Sequence, residues 1–379
     1  MLSQPPIWLI LIAFVVALGP LVFIHELGHY LVARWCGVGA ETFSIGFGRE
    51  ITGWTDRRGT RWKVGWLPLG GYVKFVGDEH VASAPGDQNE LSEEDRARSF
   101  HLHPVWQRFL IVLAGPVANF ILAIAIVSGF IAANGVASTP NLVIATLPGS
   151  AAAEAGLKIG DRITAIAGRS TNSFEEIAQL TSLYPDQDVR IDIVRDGHPL
   201  SLNAHLRVEE ENDRFGQVYR VGRLGIPRPP VRFEKVPVLQ IVPAAIGSTA
   251  FLTRSMVQGL WQIVTGRRPA TEIGGPLKMA QMAGQQAVLG WTDFVVLLAI
   301  LSINLGFINL LPVPVLDGGH LLFYAIEGVR RRPVSPQAQD WAFRGGIALI
   351  LALVIFTTVN DLGSFGLWER LGRLIGWSG

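Results

Sequence analysis

The chain has 379 residues, 49% of them hydrophobic and 17% charged, with a formal net charge of +1 and a mean hydropathy of +0.34. A soluble chain carries roughly a quarter charged residues, so the deficit excludes a disordered protein and argues against a purely soluble enzyme. The near-zero charge argues against a nucleic-acid binder, which would show a basic excess, and the single cysteine, Cys36, excludes an intrachain disulfide framework.

The apolar surplus falls in a few segments. Pro5–Ile24 carries no charge and is long enough to span a membrane as a helix. No Lys or Arg precedes it and no small-residue cleavage site follows, so it reads as a retained span and not a signal peptide. The pattern continues through His25-Glu-Leu-Gly-His29 to Trp35. Between this span and the next, Thr42–Phe47 and Trp62–Val76 alternate imperfectly and are broken by glycines, which predicts short strands in hairpins. Phe109–Ala133 forms a second uncharged span. Leu142–Val208 is ordinary in composition, with a helical stretch at Ser173–Leu183 and alternating strands at Val189–Val194 and Leu200–Leu206.

Val236–Thr253 is uncharged but holds Pro237 and Pro243. It runs into a stretch where Leu252, Met256, Leu260 and Ile263 share one face and Arg254, Gln258 and Gln262 another. That pattern predicts a helix lying along the membrane surface. A third span runs from Phe294 to Leu316, and a shorter fourth from Gly345 to Asn360. Leu367–Trp377 reads as an amphipathic tail.

Four spans put both termini on one side. The loop between spans one and two carries Arg49, Arg57, Arg58, Arg61, Lys63, Lys74, Arg96 and Arg98, and the loop between spans three and four carries Arg330, Arg331 and Arg332. By the positive-inside rule these loops are cytoplasmic. Both termini and the long region between spans two and three are then extracytoplasmic.

Ionisable residues inside a span are costly and are read as functional by default. The first span holds three within five residues: His25, Glu26 and His29. Histidines at i and i+4 share a helical face at a separation that lets both imidazoles reach one zinc ion. The intervening glutamate can take a proton from a zinc-bound water, whose pKa the metal lowers to roughly 7. A catalytic zinc needs a third protein ligand, and the segment Asn309-Leu-Leu-Pro-Val-Pro-Val-Leu-Asp317-Gly-Gly-His320 offers one. Pro312 and Pro314 break the helix there, and unwound backbone at membrane depth is tolerated where protein or a watery cavity surrounds it. Asp317 is either a ligand or the N-cap of a helix starting at Gly318. His320 and Cys36 are competing ligands, while His80, His101 and His103 read as solvated loop residues.

FIHELGHYLVAR (23–34), PLGGYVKF (68–75), AGPVANF (114–120) and NLLPVPVLDGGHLL (309–322) closely resemble the bacterial site-2 proteases of the RseP type, zinc metalloproteases that cut substrates within the membrane. The resemblance runs along nearly the whole chain. It implies zinc ligands at His25, His29 and Asp317, Glu26 as general base, and Asn309 holding unwound substrate beside the metal. Asn119 matches a further family position. The β-rich loop would dip toward the active site and clamp substrate as an added strand.

LPGSAAAEAGLKIGDRI (147–163) resembles a PDZ domain of the bacterial protease type. PDZ domains bind chain termini by strand addition, and a sieve against bulky extracellular domains is an equal alternative. RseP-type proteins often carry two such domains; Glu209–Lys235 is too short for a second.

The resulting expectation is a polytopic α-helical membrane protein with four transmembrane helices, a membrane-associated β-hairpin loop and an inserted extracytoplasmic PDZ domain of α+β type. Its organisation is a first span with HExxH (1–37), a cytoplasmic β-rich loop (38–104), a second span (105–135), a PDZ domain (142–208), a linker with amphipathic helices (209–290), a third span (291–330), a fourth (341–361) and the tail (362–379). The resemblance implies residence in the bacterial inner membrane. It also implies single-span substrates, such as anti-sigma factors or remnant signal peptides, in regulated intramembrane proteolysis. A metal transporter and an inactive PDZ scaffold are the alternatives; the complete ligand set with an adjacent base argues against both.

Overall fold

The computed structural model describes residues 5–78, 91–212, 218–266 and 270–364. The amphipathic tail and His80 lie outside them. Among the described residues, four helices are long and apolar enough to cross a membrane, in keeping with a polytopic membrane protein.

The first helix, α1 (Ile7–Trp35), has 29 residues, about 43 Å at 1.5 Å per residue, so it outlasts a hydrocarbon core of roughly 30 Å and carries the HExxH turn within it. Cys36 is its C-cap residue.

Strands β1 (Ala40–Thr55) and β2 (Arg61–Phe75) follow, longer than the short strands expected. Their register explains the difference. Thr42 to Ile45 pair on one side with residues 71–74 and on the other with residues 61–64, while residues 52–55 pair with 61–64 from the far side. Each long strand therefore bends into two, giving a sheet in the order 71–75, 40–45, 61–64, 52–55. Gly46 and Gly70 sit at the bends with φ of 85° and 89°, a region that side chains disfavour. Phe43 and Trp62 stack at 4.3 Å between ring centroids and fix the faces.

Helix α2 (Glu93–Arg98) leads to α3 (Val105–Asn134), the second long apolar helix. Strand β3 (Val136–Ser138), helix α4 (Ala151–Glu154), strands β4 (Arg162–Ile166) and β5 (Arg169–Ser170), helix α5 (Phe174–Ser182), and strands β6 (Asp188–Arg195) and β7 (His198–His205) come next. They are followed by β8 (Arg207–Asn212), β9 (Val218–Arg223) and β10 (Arg232–Glu234). Phe130–Ile241 forms a unit of its own.

Within that unit the sheet order is β5-β4-β6-β7. Alternate residues Val189, Ile191 and Ile193 point into a core with Ile163, Ile177 and Leu206. The two-residue turn Asp196-Gly197 has φ of 49° and 84°, the doubly positive turn that matches hairpin twist. The core does not stop at Val208, where the sequence boundary was drawn: Leu224 is buried in it and Ile226 packs on it. Residues after β7 thus complete this core.

The other unit comprises Met1–Gly129 with Val242–Gly379. Helix α6 (Val238–Val264) is one continuous helix including Pro243, and it is not among the four candidate spans. Helices α7 (Pro276–Leu289), α8 (Trp291–Asn309), α9 (Asp317–Arg330) and α10 (Pro336–Ser364) follow. The third span ends as helix at Asn309, short of the Leu316 expected, because Pro312 and Pro314 cannot continue it. The fourth, expected to be short, has 29 residues. Large apolar residues on α1 and α10, among them Trp8, Leu11, Val16, Leu349 and Ile355, face outward, as lipid-facing helices require.

Candidate metal centre

Three helices bring the site together. α1 supplies His25, Glu26 and His29, all at most 8% exposed. α9 supplies Asp317 at its first residue. α3 packs behind the histidines and holds them.

The crossing of α1 and α3 is closed by glycines. A Cβ on Gly28 would collide with the Ala114 carbonyl, and one on Gly115 would collide with the His29 ring. His29 Nδ1 lies 2.8 Å from the Ile111 carbonyl. A carbonyl only accepts, so Nδ1 carries the proton and Nε2 keeps its lone pair. On His25, Nδ1 lies 3.1 Å from the Asn119 side-chain amide.

The two Nε2 atoms then face each other at 3.3 Å. Asp317 Oδ2 is 3.2 Å from Nε2 of His25 and 3.5 Å from that of His29. The donor atoms lie within 4.8 Å of one another. Oδ2 of Asp317 is buried without a hydrogen-bond partner, which is expensive for a carboxylate. Two imidazole lone pairs and a carboxylate oxygen converging on one point suit a divalent cation of borderline softness in a tetrahedral set with one open position. The residues fit zinc.

Asp317 is not an N-cap: α9 starts at Asp317, Leu316 occupies the cap position, and no side-chain cap bond is made. The segment before it is folded tightly. Gly318 and Gly319 leave no room for a Cβ against the backbone of residues 310–314, and Val315, a β-branched residue, has φ of 102°. That conformation is strained and survives only where its surroundings enforce it. α9 is tied to α3 by Arg108, whose Nη2 donates to Glu327 at 2.7 Å and whose guanidinium lies 5.0 Å from the Tyr324 ring centroid.

A cavity of about 530 Å³ opens beside the three donors. Glu26, Tyr72, Val73, Asn309, Val315 and His320 are among its lining residues. Among the described residues Glu26 has no hydrogen-bond partner, so its carboxylate is offered to that space. Gly71 lets the strand approach: a Cβ there would come within 2.8 Å of Val22 and 3.0 Å of Glu26. Asn309 Nδ2 is 3.4 Å from His25 Nε2.

The other predicted candidates lie apart from the ligand set. His320 is packed between Tyr324 and Phe343 and is not one of the three converging donors. Cys36 packs against the cluster around Tyr30 and Phe43. His101 is not a solvated residue: its Nε2 lies 2.8 Å from Asp78, whose side chain is fully buried. Burial pushes the Asp78 carboxyl above the usual carboxylate range, against the opposing pull of His101. His103 Nδ1 donates to the Ser99 carbonyl. The roles of Gly28 and Gly115 went unread, because the clash each avoids involves a helix far away in the chain.

The Peptidase family M50 profile matches residues 13–353. A Brucella suis protein with zinc metalloprotease in its name is 42% identical over 93% of this chain and 94% of its own. An Agrobacterium fabrum protein, similarly named, is 41% identical over 93% of this chain and 96% of its own. Metalloprotease MmpA of Caulobacter vibrioides is 39% identical over 97% and 98%. A Listeria monocytogenes PDZ-domain structure matches 24% of this chain and 87% of its own, at 21% identity and a TM-score of 0.19.

Proposed function

Because the chain belongs to peptidase family M50, we propose that it is an intramembrane zinc metalloprotease that hydrolyses a peptide bond within the spanning segment of single-span membrane proteins. The observation that carries this reading is the convergence of His25, His29 and Asp317 on one point, with both histidines in a helix apolar enough to span a bilayer. A soluble metalloprotease has no use for that placement.

Bound zinc supplies Lewis acidity, acidifying water and polarising a carbonyl. The protein's own groups do the rest. Glu26, facing the cavity, accepts the attacking water's proton at its carboxylate and returns it to the leaving amine. Asn309 is a hydrogen-bonding group at the cavity wall, suited to hold a substrate backbone whose helix has opened. A helical peptide bond is shielded by its own hydrogen bonds until unwound. The outer edge of the sheet at residues 71–75 has no strand partner among the described residues and borders the cavity. It suits an unwound segment binding as an added strand.

The orientation follows from charge: the basic loops face the cytoplasm, which puts both termini and the 142–208 region outside the bacterial inner membrane. We read that region as a PDZ domain, from its sequence pattern and its strand arrangement. It acts by binding chain termini or by excluding bulky external domains. Anti-sigma factors already trimmed outside and leftover signal peptides are the substrate classes, in regulated intramembrane proteolysis.

The test is cleavage of a single-span reporter by the purified full-length protein in nanodiscs. Glu26→Gln keeps all three ligands and should bind zinc as the wild type does, while its rate falls by about 10²–10⁴, the usual contribution of a general base. Equal cleavage by both proteins would overturn the mechanism.

A further inference from the structure

Asn119 is wholly buried inside an apolar helix of the bundle, where an amide needs a reason to be. Its side chain faces Nδ1 of His25 at 3.1 Å. Its backbone carbonyl accepts a 2.8 Å hydrogen bond from Ser302 Oγ, a fully buried hydroxyl on α8. Ser302 thus pins the turn of α3 that carries Asn119, and Asn119 reaches the first histidine of α1.

A neutral imidazole carries one proton on one of two nitrogens. Nε2 of His25 faces His29 and Asp317, so on the reading of this site as a metal centre it must offer a lone pair. The proton then belongs on Nδ1, and whatever faces Nδ1 must accept it. A carboxamide has one accepting and one donating end. With its nitrogen toward His25, the Asn119 oxygen is left buried without a partner, and the imidazole proton is forced onto Nε2. A half-turn of the amide exchanges the two atoms, turns the oxygen toward His25 Nδ1 and lets the imidazole proton sit there.

We propose that Asn119 is a positioning residue for the metal centre. Its side-chain oxygen accepts Nδ1–H of His25, holding that ring in the ligand tautomer, with Ser302 fixing Asn119 in turn. His29 already has the equivalent arrangement, with the Ile111 carbonyl as acceptor. Both histidines are then held through the nitrogen that faces away from the metal, by two groups from the same stretch of α3. Partners of this kind tune metal affinity as well as geometry.

The inference rests on the metal-centre reading, and the experiment separates the two. Full-length wild type, Asn119→Leu and Asn119→Asp are stripped of metal in nanodiscs and titrated with zinc against a chromophoric chelator. Asn119→Leu keeps the shape but loses the acceptor, and its zinc affinity should fall by about 10–100-fold. Asn119→Asp keeps an acceptor and should bind within a few-fold of wild type. In the zinc-loaded wild type, ¹⁵N shifts of labelled histidine, assigned with His25→Gln, should show His25 protonated at Nδ1; this reading needs no Asn119 variant to fold.

A Leu variant binding zinc like wild type, an Asp variant as weak as Leu, or His25 protonated at Nε2 would each overturn the proposal. A wild type that binds no zinc overturns the site reading and the inference with it.

Discussion

Gly115 has no side chain because the His29 ring occupies the space a methyl group would need. Adding one forces the ring away from His25 and Asp317 or pushes α3 off α1. Overpacking of this kind costs about 1–3 kcal/mol, and 1.4 kcal/mol is tenfold in binding. Gly115→Ala should therefore weaken zinc binding by about tenfold, measured by the same chelator competition, while the helical circular dichroism stays unchanged. At this scale legibility depended on separation along the chain. His25, Glu26 and His29 were readable because one helical turn relates them. Asp317 stayed open between ligand and cap, since only the helix start at Asp317 itself removes the capping role. The place of Asn119 beside His25, 94 residues away, has no local signature at all. His101 misled for the same reason: a polar loop reads as solvated until Asp78 is seen folded against it.

The elements owe their placement to a few polar ties. The Thr271–Pro276 segment had no readable purpose in the sequence. In the fold, Asp361 near the end of α10 accepts from the backbone nitrogens of Gly275 and Lys278 at 3.2 and 2.9 Å, satisfying free N–H groups at the start of α7. Gly275 must be glycine because Asp361 and Thr357 crowd it. The glycines that break the β-rich segment predicted short strands in hairpins, and Gly46 and Gly70 sit at bends that double a two-stranded hairpin into four short strands; alternation alone cannot reveal that pairing. In the other unit, Asp161 is 1% exposed and takes two hydrogen bonds from Arg195, at 2.8 and 2.7 Å. Those bonds, with the Lys158 backbone N–H, hold its carboxyl below the usual carboxylate range against the cost of burial. A carboxyl depressed in the folded state stabilises above its unfolded pKa of about 3.9, and that contribution is lost as pH falls through the folded value. Arg195→Ala should lower the melting temperature of this unit at pH 7. The gap to wild type should begin to narrow below about pH 4 and go on narrowing as pH falls through the lowered folded value, where Asp161 becomes protonated in both proteins. A gap independent of pH would contradict the assignment.

Among the described residues, the apolar surplus resolves into four long helices with apolar outer faces, while the buried His25 and His29 converge with Asp317 on one point. Span count, order and the helix that carries His25 and His29 were legible because hydropathy and the i, i+4 spacing are local signals. The uncharged run was drawn to Leu316, but Pro312 and Pro314 within it marked the break that ends the helix at Asn309. The second unit was drawn too short at its C-terminal side, because Leu224 joins its core only through tertiary packing. The central proposal is that the histidine–aspartate centre works on a peptide bond inside a membrane segment. It is tested most directly by mass spectrometry of the products from a single-span reporter incubated with the zinc-loaded wild type in nanodiscs. A cut within the reporter's apolar segment is expected, absent with Glu26→Gln and with Asp317→Ala. A cut confined to the reporter's soluble flanks, or the same intramembrane cut from the Glu26→Gln protein, would contradict it.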